Sequence, residues 1–365
     1  MKIGVLTSSR ADYGIYVPLL KKLQQDPYFQ LEIVAFGSHL SADFGYTVEE
    51  IESDGFKVKH RLATHQAGDQ PQDIALHMAK VIEVFAKFWS EQEYDLILTL
   101  GDRFEMFAAV TASVPFNLKV AHIHGGETTL GAIDNVFRHS ISLMSVYHFA
   151  STEVYKKRIE QLVGNPEHVY NVGALSIDNL QHTQLLSLEE FQDRFEIDLS
   201  LPSILITFHP ETVSYQENEQ YTRELVGALA EIDQYQLIIT MPNADTMGQK
   251  VRSILFDFIN RRPDVKWVES FGRVGYLTCM QHCNFLLGNT SSGFVEASFF
   301  PKFVINLGRR QEGRLRTPHI IDTPITKEAI LEAVATVSKA GKPPFIDAYG
   351  DGTTAEQIVS HLKQI

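Results

Sequence analysis

The chain has 365 residues and 44% hydrophobic composition, enough for two packed cores in a soluble globular protein. Its formal net charge of −13 sets the surface against nucleic acid and anionic membranes, so an anionic ligand needs a locally basic pocket. The opening run Met1 to Ser8 is too short for a signal peptide, no stretch has the roughly 18 apolar residues of a membrane span, and two cysteines four apart (Cys279, Cys283) do not make a zinc site; the expected location is a reducing cytoplasm.

Short β-rich apolar runs alternate with helical patterns. Residues 3–7, 31–36, 95–100, 120–123 and 148–150 are predicted strands of a first sheet, with helices over 16–25 and 73–92. The second helix places Ile74, Met78, Val81, Ile82, Phe85 and Phe88 on one stripe. Such repetition implies parallel strands joined by right-handed crossovers. After a polar, helix-prone stretch over 181–198, residues 204–208, 236–240, 265–268, 285–287 and 303–306 are predicted strands of a second sheet. The expected fold is α/β, with two Rossmann-like domains facing across a cleft. The first covers 1–180, the second 181–352, and a last helix over 353–365 packs back on the first.

In open α/β sheets ligands bind at the carboxyl ends of strands, so the loops there carry the candidate chemistry. The first strand ends in Ser8-Ser9-Arg10-Ala11-Asp12, which lacks the glycine pattern of a dinucleotide fold and argues against NAD. Arg10 suits a forked phosphate contact, or a surface salt bridge with an acid such as Asp12. In Gly101-Asp102-Arg103, Asp102 is the first polar group beyond the strand, either catalytic or a helix cap. Arg103 pairs with Asp102 or faces an anion. The segment His122-Ile123-His124-Gly125-Gly126-Glu127 is the richest. His122 alternates inward and reads as buried, whereas His124 and Glu127 lie beyond the strand, among glycines that let a ligand lie close. Asp134 and Arg138, four apart, share a helix face, as an ordinary ion pair or as part of a site.

In the second half, Pro210 ends a strand and presents His209 at the sheet edge. Gly288-Asn289-Thr290-Ser291-Ser292-Gly293 leads into a predicted helix whose backbone N–H groups, with the Ser291 and Ser292 hydroxyls, make an anion cradle. The cradle has no P-loop lysine, which disfavours ATP hydrolysis. Glu296, one turn inside that helix, can accept from ribose hydroxyls or complement the helix dipole. Arg309, Arg310 and Arg314 add positive charge beside it. The joint pattern suits a nucleoside diphosphate held by the second half, with chemistry at its far end against the first.

These loops, with Gly37-Ser38-His39-Leu40, Pro242-Asn243-Ala244-Asp245, Val304 to Gly308 and Tyr349-Gly350-Asp351-Gly352, carry a resemblance over nearly the full length. The sequence resembles the hydrolysing UDP-N-acetylglucosamine 2-epimerases of sialic acid biosynthesis and relatives that make legionaminic acid precursors. The resemblance implies a glycosyltransferase-B-like fold, a UDP-sugar substrate and a homodimer; no metal is expected, because arginines and amides can carry the leaving charge, and no cofactor. It implies acid/base roles for Asp102 and Asp134 and places His209 near the phosphates. It implies UDP contacts for Arg10, Arg103, Asn243, Ser291, Glu296 and Arg310, and Arg138, Thr290, Ser292 and Gly293 join the candidate binding set. Some relatives carry a carboxylate where this chain has His124, so either His124 or Glu127 takes that role. The rival readings are a glycosyltransferase of the same architecture, a non-hydrolysing epimerase and a non-catalytic nucleotide-sugar sensor.

Overall fold

The structure, a computed structural model, describes all residues except 43–44, 65–67, 69, 212–214, 243–247 and 345. Two parallel sheets form. The first contains β1 (Lys2–Thr7), β2 (Gln30–Phe36), β3 (Val58–Leu62), β4 (Leu96–Leu100), β5 (Val120–Ile123), β6 (Tyr147–Ala150) and β7 (Val169–Asn171), in the order β3-β2-β1-β4-β5-β6-β7. The second contains β8 (Ser203–Thr207), β9 (Gln236–Thr240), β10 (Lys266–Val268), β11 (Phe285–Gly288), β12 (Phe303–Leu307) and β13 (Ile320–Thr323), in the order β10-β9-β8-β11-β12-β13. Both are doubly wound, as the alternation of strand and helix signals requires.

The helices among the described residues are α1 (Arg10–Gln25), α2 (Val48–Ser53), α3 (Pro71–Glu91), α4 (Phe104–Ser113), α5 (Asp134–Leu143), α6 (Glu153–Val163) and α7 (Leu175–His182), followed by α8 (Leu188–Phe195), α9 (Asn218–Leu229), α10 (Gly248–Arg261), α11 (Gly272–His282), α12 (Glu296–Phe299), α13 (Lys327–Lys339) and α14 (Thr354–Leu362). None is long and apolar enough to cross a membrane.

Period-2 side-chain alternation splits the core of each sheet between its faces. In β2, Ile33 and Ala35 join one cluster with Tyr16 and Leu20 of α1, while Val34 and Phe36 join Phe85 and Trp89 of α3 on the other. In β8, Ile204 and Ile206 pack with Leu225 of α9, while Leu205 packs with Phe191 and Cys279. Because both faces are covered, these strands are continuous apolar runs.

By Cα packing, the first unit comprises 1–127, 134–181 and 348–365, and the second comprises 128–133 and 182–347. Within the first, Ala355, Ile358 and Leu362 of α14 enter the core that holds α1. The buried Asp178 carboxylate accepts from the Thr354 and Ala355 amides at 3.0 and 2.6 Å, capping α14. Within the second, Leu130 donates to the Glu312 carbonyl at 2.9 Å.

Candidate active site

In each sheet the strand order reverses at a central pair, β1 and β4 in the first, β8 and β11 in the second. Loops leaving the carboxyl ends of such a pair diverge and leave room for a ligand. Arg10, Asp102, Arg103, His209 and Thr290 to Glu296 follow these four strands, while His124, Glu127, Asp134 and Arg138 follow β5 and Arg310 follows β12.

In the first unit the loop after β1 is held from inside. Asp12 is buried. Its carboxylate accepts from the Ser8 amide at 3.0 Å, the Ser8 hydroxyl at 2.7 Å and the Ser9 amide at 3.1 Å, and from the Thr7 hydroxyl. Reading a loop here, sequence reasoning began the helix at 16. These bonds instead close a capping box and start α1 at Arg10. Arg10 Nη1 lies 4.0 Å from Glu50 Oε1, both about half exposed.

Beyond β4, Gly101 takes φ +79° and turns Asp102 out of the sheet. The N-cap of α4 is Arg103, not Asp102. Arg103 forks onto Glu105 at 3.1 and 3.2 Å. The partner of Asp102 is Arg138 of α5. Its guanidinium also donates to the His124 carbonyl at 2.8 Å and lies 3.7 Å from Glu127. Arg138 is thus no simple helix partner of Asp134. It gathers two carboxylates from the ends of the adjacent strands β4 and β5, with 5% of its own side chain exposed. Asp134 is the first residue of α5, one turn before Arg138 on the same face.

His124 has φ +61°, a left-handed conformation uncommon for a side-chain-bearing residue. Its Nε2 accepts the Leu175 amide at 3.2 Å at the start of α7, which assigns the ring proton to Nδ1. Glu127 is buried and accepts from Ser151 Oγ at 3.0 Å. His122 is buried as its alternation implies, its Nδ1 2.9 Å from Ser142 Oγ and its Nε2 2.8 Å from the Gly101 carbonyl. Burial pushes its pKa down to about 3, so the ring is neutral and braces the Asp102 turn against α5. The glycines serve packing here. At Gly126, φ +75°, a Cβ would collide with the Tyr155 carbonyl of α6.

In the second unit a Cβ on Gly288, φ +143°, would collide with the Thr207 carbonyl. This close approach brings β11's end against β8's end. There the Asn289 side chain accepts from the His209 amide at 2.7 Å and donates to the His209 carbonyl at 2.8 Å. Ser291–Gly293 form a 3-10 turn, and α12 behind it spans only Glu296–Phe299. The predicted cradle is therefore a tight turn, not the start of a long helix, and Glu296 opens α12 rather than lying inside it. A hydroxyl chain continues it: Ser292 Oγ is 3.1 Å from Thr290 Oγ1 and 2.7 Å from Tyr276 Oη. Burial raises the Tyr276 pKa to about 12. Sequence reasoning missed Tyr276, which comes from α11 and carries no local motif. Of the three arginines, Arg309 is exposed and pairs with Glu312 at 2.6 Å, while Arg310 Nη1 donates to the Asn289 carbonyl at 3.2 Å. Asn243 lies outside the described residues. Among the described residues no three or more His, Cys, Asp or Glu converge as a metal site.

Two Rossmann-like units with charged and hydroxyl-rich strand ends define an enzyme of the glycosyltransferase-B-like fold. A solved structure titled UDP-GlcNAc 2-epimerase from Neisseria meningitidis bound to UDP-GlcNAc superposes with TM-score 0.85 at 17% identity, covering 100% of both chains. The Legionella pneumophila protein named UDP-N,N'-diacetylbacillosamine 2-epimerase (hydrolyzing) is 33% identical over 365 residues, 100% of this chain and 96% of that protein. Polysialic acid biosynthesis protein P7 of Escherichia coli is 34% identical over 91% of this chain and 85% of its own length. Residues 21–363 match the family described as UDP-N-acetylglucosamine 2-epimerase. The chain belongs to this family, in its hydrolysing branch. The resemblance, the fold and the enzyme class expected from the sequence are borne out.

Proposed function

We propose that the enzyme converts UDP-N-acetylglucosamine to free N-acetylmannosamine and UDP. The C2 proton of the substrate is not next to a carbonyl, so direct removal is slow. Cleavage of C1–O therefore leads, and the electron pair leaves with UDP. Oxocarbenium character at C1 then lets a base take the C2 proton, giving a 2-acetamidoglycal by anti elimination. Water adds across the double bond, its oxygen at C1 and a proton at C2 from the opposite face.

In this reading the strand ends of the second unit hold the leaving diphosphate through His209, Arg310 and the Thr290–Gly293 turn, with Glu296 toward the nucleoside. Arg10 and Arg103 supply further positive charge. The strand ends of the first unit move protons. The observation that supports this division is the Arg138 guanidinium with Asp102 on one side and Glu127 on the other. The pair offers two carboxylates for one removal and one delivery. Asp134 is the third candidate acid. The Leu175 amide occupies the His124 Nε2 lone pair, so we assign the acid/base role at this motif to Glu127 rather than His124. Each transfer contributes roughly 10²–10⁴ in rate.

A second reading, the same reaction on a UDP-linked 2,4-diacetamido-2,4,6-trideoxyglucose, is favoured by the name of the Legionella relative. The test offers both UDP-sugars to the enzyme and identifies the products by NMR. Release of UDP with free N-acetylmannosamine supports the first; turnover of the diacetamido sugar alone replaces it with the second. A sugar that stays UDP-linked or passes to an acceptor contradicts both. We further propose a cytoplasmic homodimer, in keeping with free Cys279 and Cys283 and with Val114, Phe116, Val136, Leu143 and Val146 left exposed on the first unit. Light scattering checks the mass.

A further inference from the structure

Within the second unit, three strand-end loops are closed into one ring of buried and partly buried hydrogen bonds by two residues with no place in the scheme above. Asn289, 0% exposed, pairs with both backbone groups of His209 at 2.7 and 2.8 Å. Its own carbonyl accepts from Arg310 Nη1 at 3.2 Å and Gln311 Nε2 at 2.9 Å. Glu211 is also buried. One oxygen, Oε1, accepts both the Arg309 and Arg310 amides at 2.7 and 3.1 Å. Chain connectivity through Pro210 completes the circuit from Glu211 to His209. Asn218, at the start of α9, anchors it from behind: its side chain pairs with both backbone groups of Glu211 at 2.8 and 2.9 Å.

A buried amide that satisfies both backbone groups of another residue fixes that residue's plane and depth, because shifting it leaves buried polar groups unpaired. A carboxylate oxygen on two consecutive amides does the same for a turn. We propose that Asn289 and Glu211 are positioning residues for the diphosphate, Asn289 setting His209 and Glu211 setting the turn that carries Arg310. This rests on the reading that His209 and Arg310 contact the diphosphate. Neither residue touches the ligand in this scheme; each acts through its partner.

The experiment titrates UDP into the full-length enzyme by calorimetry and measures KM and kcat alongside thermal unfolding. Asn289→Ala and Glu211→Leu should each weaken UDP binding by about tenfold or more. KM should rise by a larger factor than kcat falls. Glu211→Gln keeps an oxygen where Oε1 stands and should recover most of the affinity lost in Glu211→Leu. Asn289→Ala combined with His209→Ala should bind UDP no more weakly than the worse single variant, since one acts through the other. If Asn289→Ala does not fold, Asn289→Asp, which sets an oxygen against the His209 carbonyl, takes its place in the same cycle.

Losses that multiply in the double variant, or a Glu211→Gln as weak as Glu211→Leu, would overturn the proposal. Should His209→Ala and Arg310→Ala weaken UDP while Asn289→Ala and Glu211→Leu bind it as the parent does, the positioning roles alone fail. Should the parent take up no UDP, or His209→Ala and Arg310→Ala bind it unchanged, the phosphate assignment fails and the proposal with it.

Discussion

The two sheets end in chemically different ways. At β4 and β5, ion pairs do the holding: Arg138 pairs with Asp102 and lies near Glu127, and Arg103 forks onto Glu105. At β8 and β11, side-chain amides and hydroxyls join the charged Glu211 and Arg310: Asn289 holds His209, and Thr290, Ser292 and Tyr276 form a chain. Carboxylates can accept and deliver protons, so the first arrangement supplies groups for proton transfer. Neutral donors and tight turns need no reorganisation as charge develops, so the second suits an anionic leaving group. One topology, used twice, carries two kinds of chemistry because the residues at its strand ends differ.

The sharpest way to break this contrast is to remove its charged hub. Arg138→Leu leaves Asp102 and Glu127 without their shared cation; we expect a stability loss of about 3–5 kcal/mol, read from urea denaturation, with turnover lost as well. An unchanged unfolding midpoint would mean that the guanidinium does not hold the pair. Next, Glu127→Gln and Asp102→Asn should lower kcat by roughly 10²–10⁴ while UDP binds with near-parental affinity. In contrast, His209→Ala should weaken UDP by about tenfold or more, so calorimetry and kinetics together separate the two ends. His124→Asn tolerates the left-handed backbone but loses the Leu175 contact. Its kcat should fall less than that of Glu127→Gln, and a larger fall would return the acid/base role to His124.

A pH slope is a further expected effect. The His122 pKa falls from an ordinary 6.5 to about 3, so between these values the unfolded chain binds a proton that the native state refuses. Stability from this group is therefore complete above pH 6.5 and is lost as pH falls toward 3. His122→Asn should flatten that part of the curve, seen as a smaller change in urea midpoint between pH 7 and pH 4.

Much of this was legible in the sequence, for physical reasons. Central parallel strands such as β4 and β8 are buried along their whole length and read as unbroken apolar runs. Three strands were not found. β3 is an edge strand that alternates with charge, as Val58-Lys59-His60-Arg61-Leu62. β7 and β13 also lie at sheet edges and have three and four residues, too short for a periodic signal. The site residues were recognisable by type and by their place after strands, but their partners were not. Spacing pairs Arg138 with Asp134, one turn away; the fold pairs it with Asp102, which β4 brings from 36 positions earlier. Similarly, Asn289 sits in a motif whose serines draw the eye, and its hold on His209 bridges 80 positions.

Turnover of UDP-N-acetylglucosamine in deuterated water tests the central claim most directly. Elimination to a glycal followed by hydration predicts UDP and free N-acetylmannosamine with one deuterium at C2, and Glu127→Gln slows its formation without abolishing UDP binding. A free sugar that keeps its original C2 hydrogen would contradict the account.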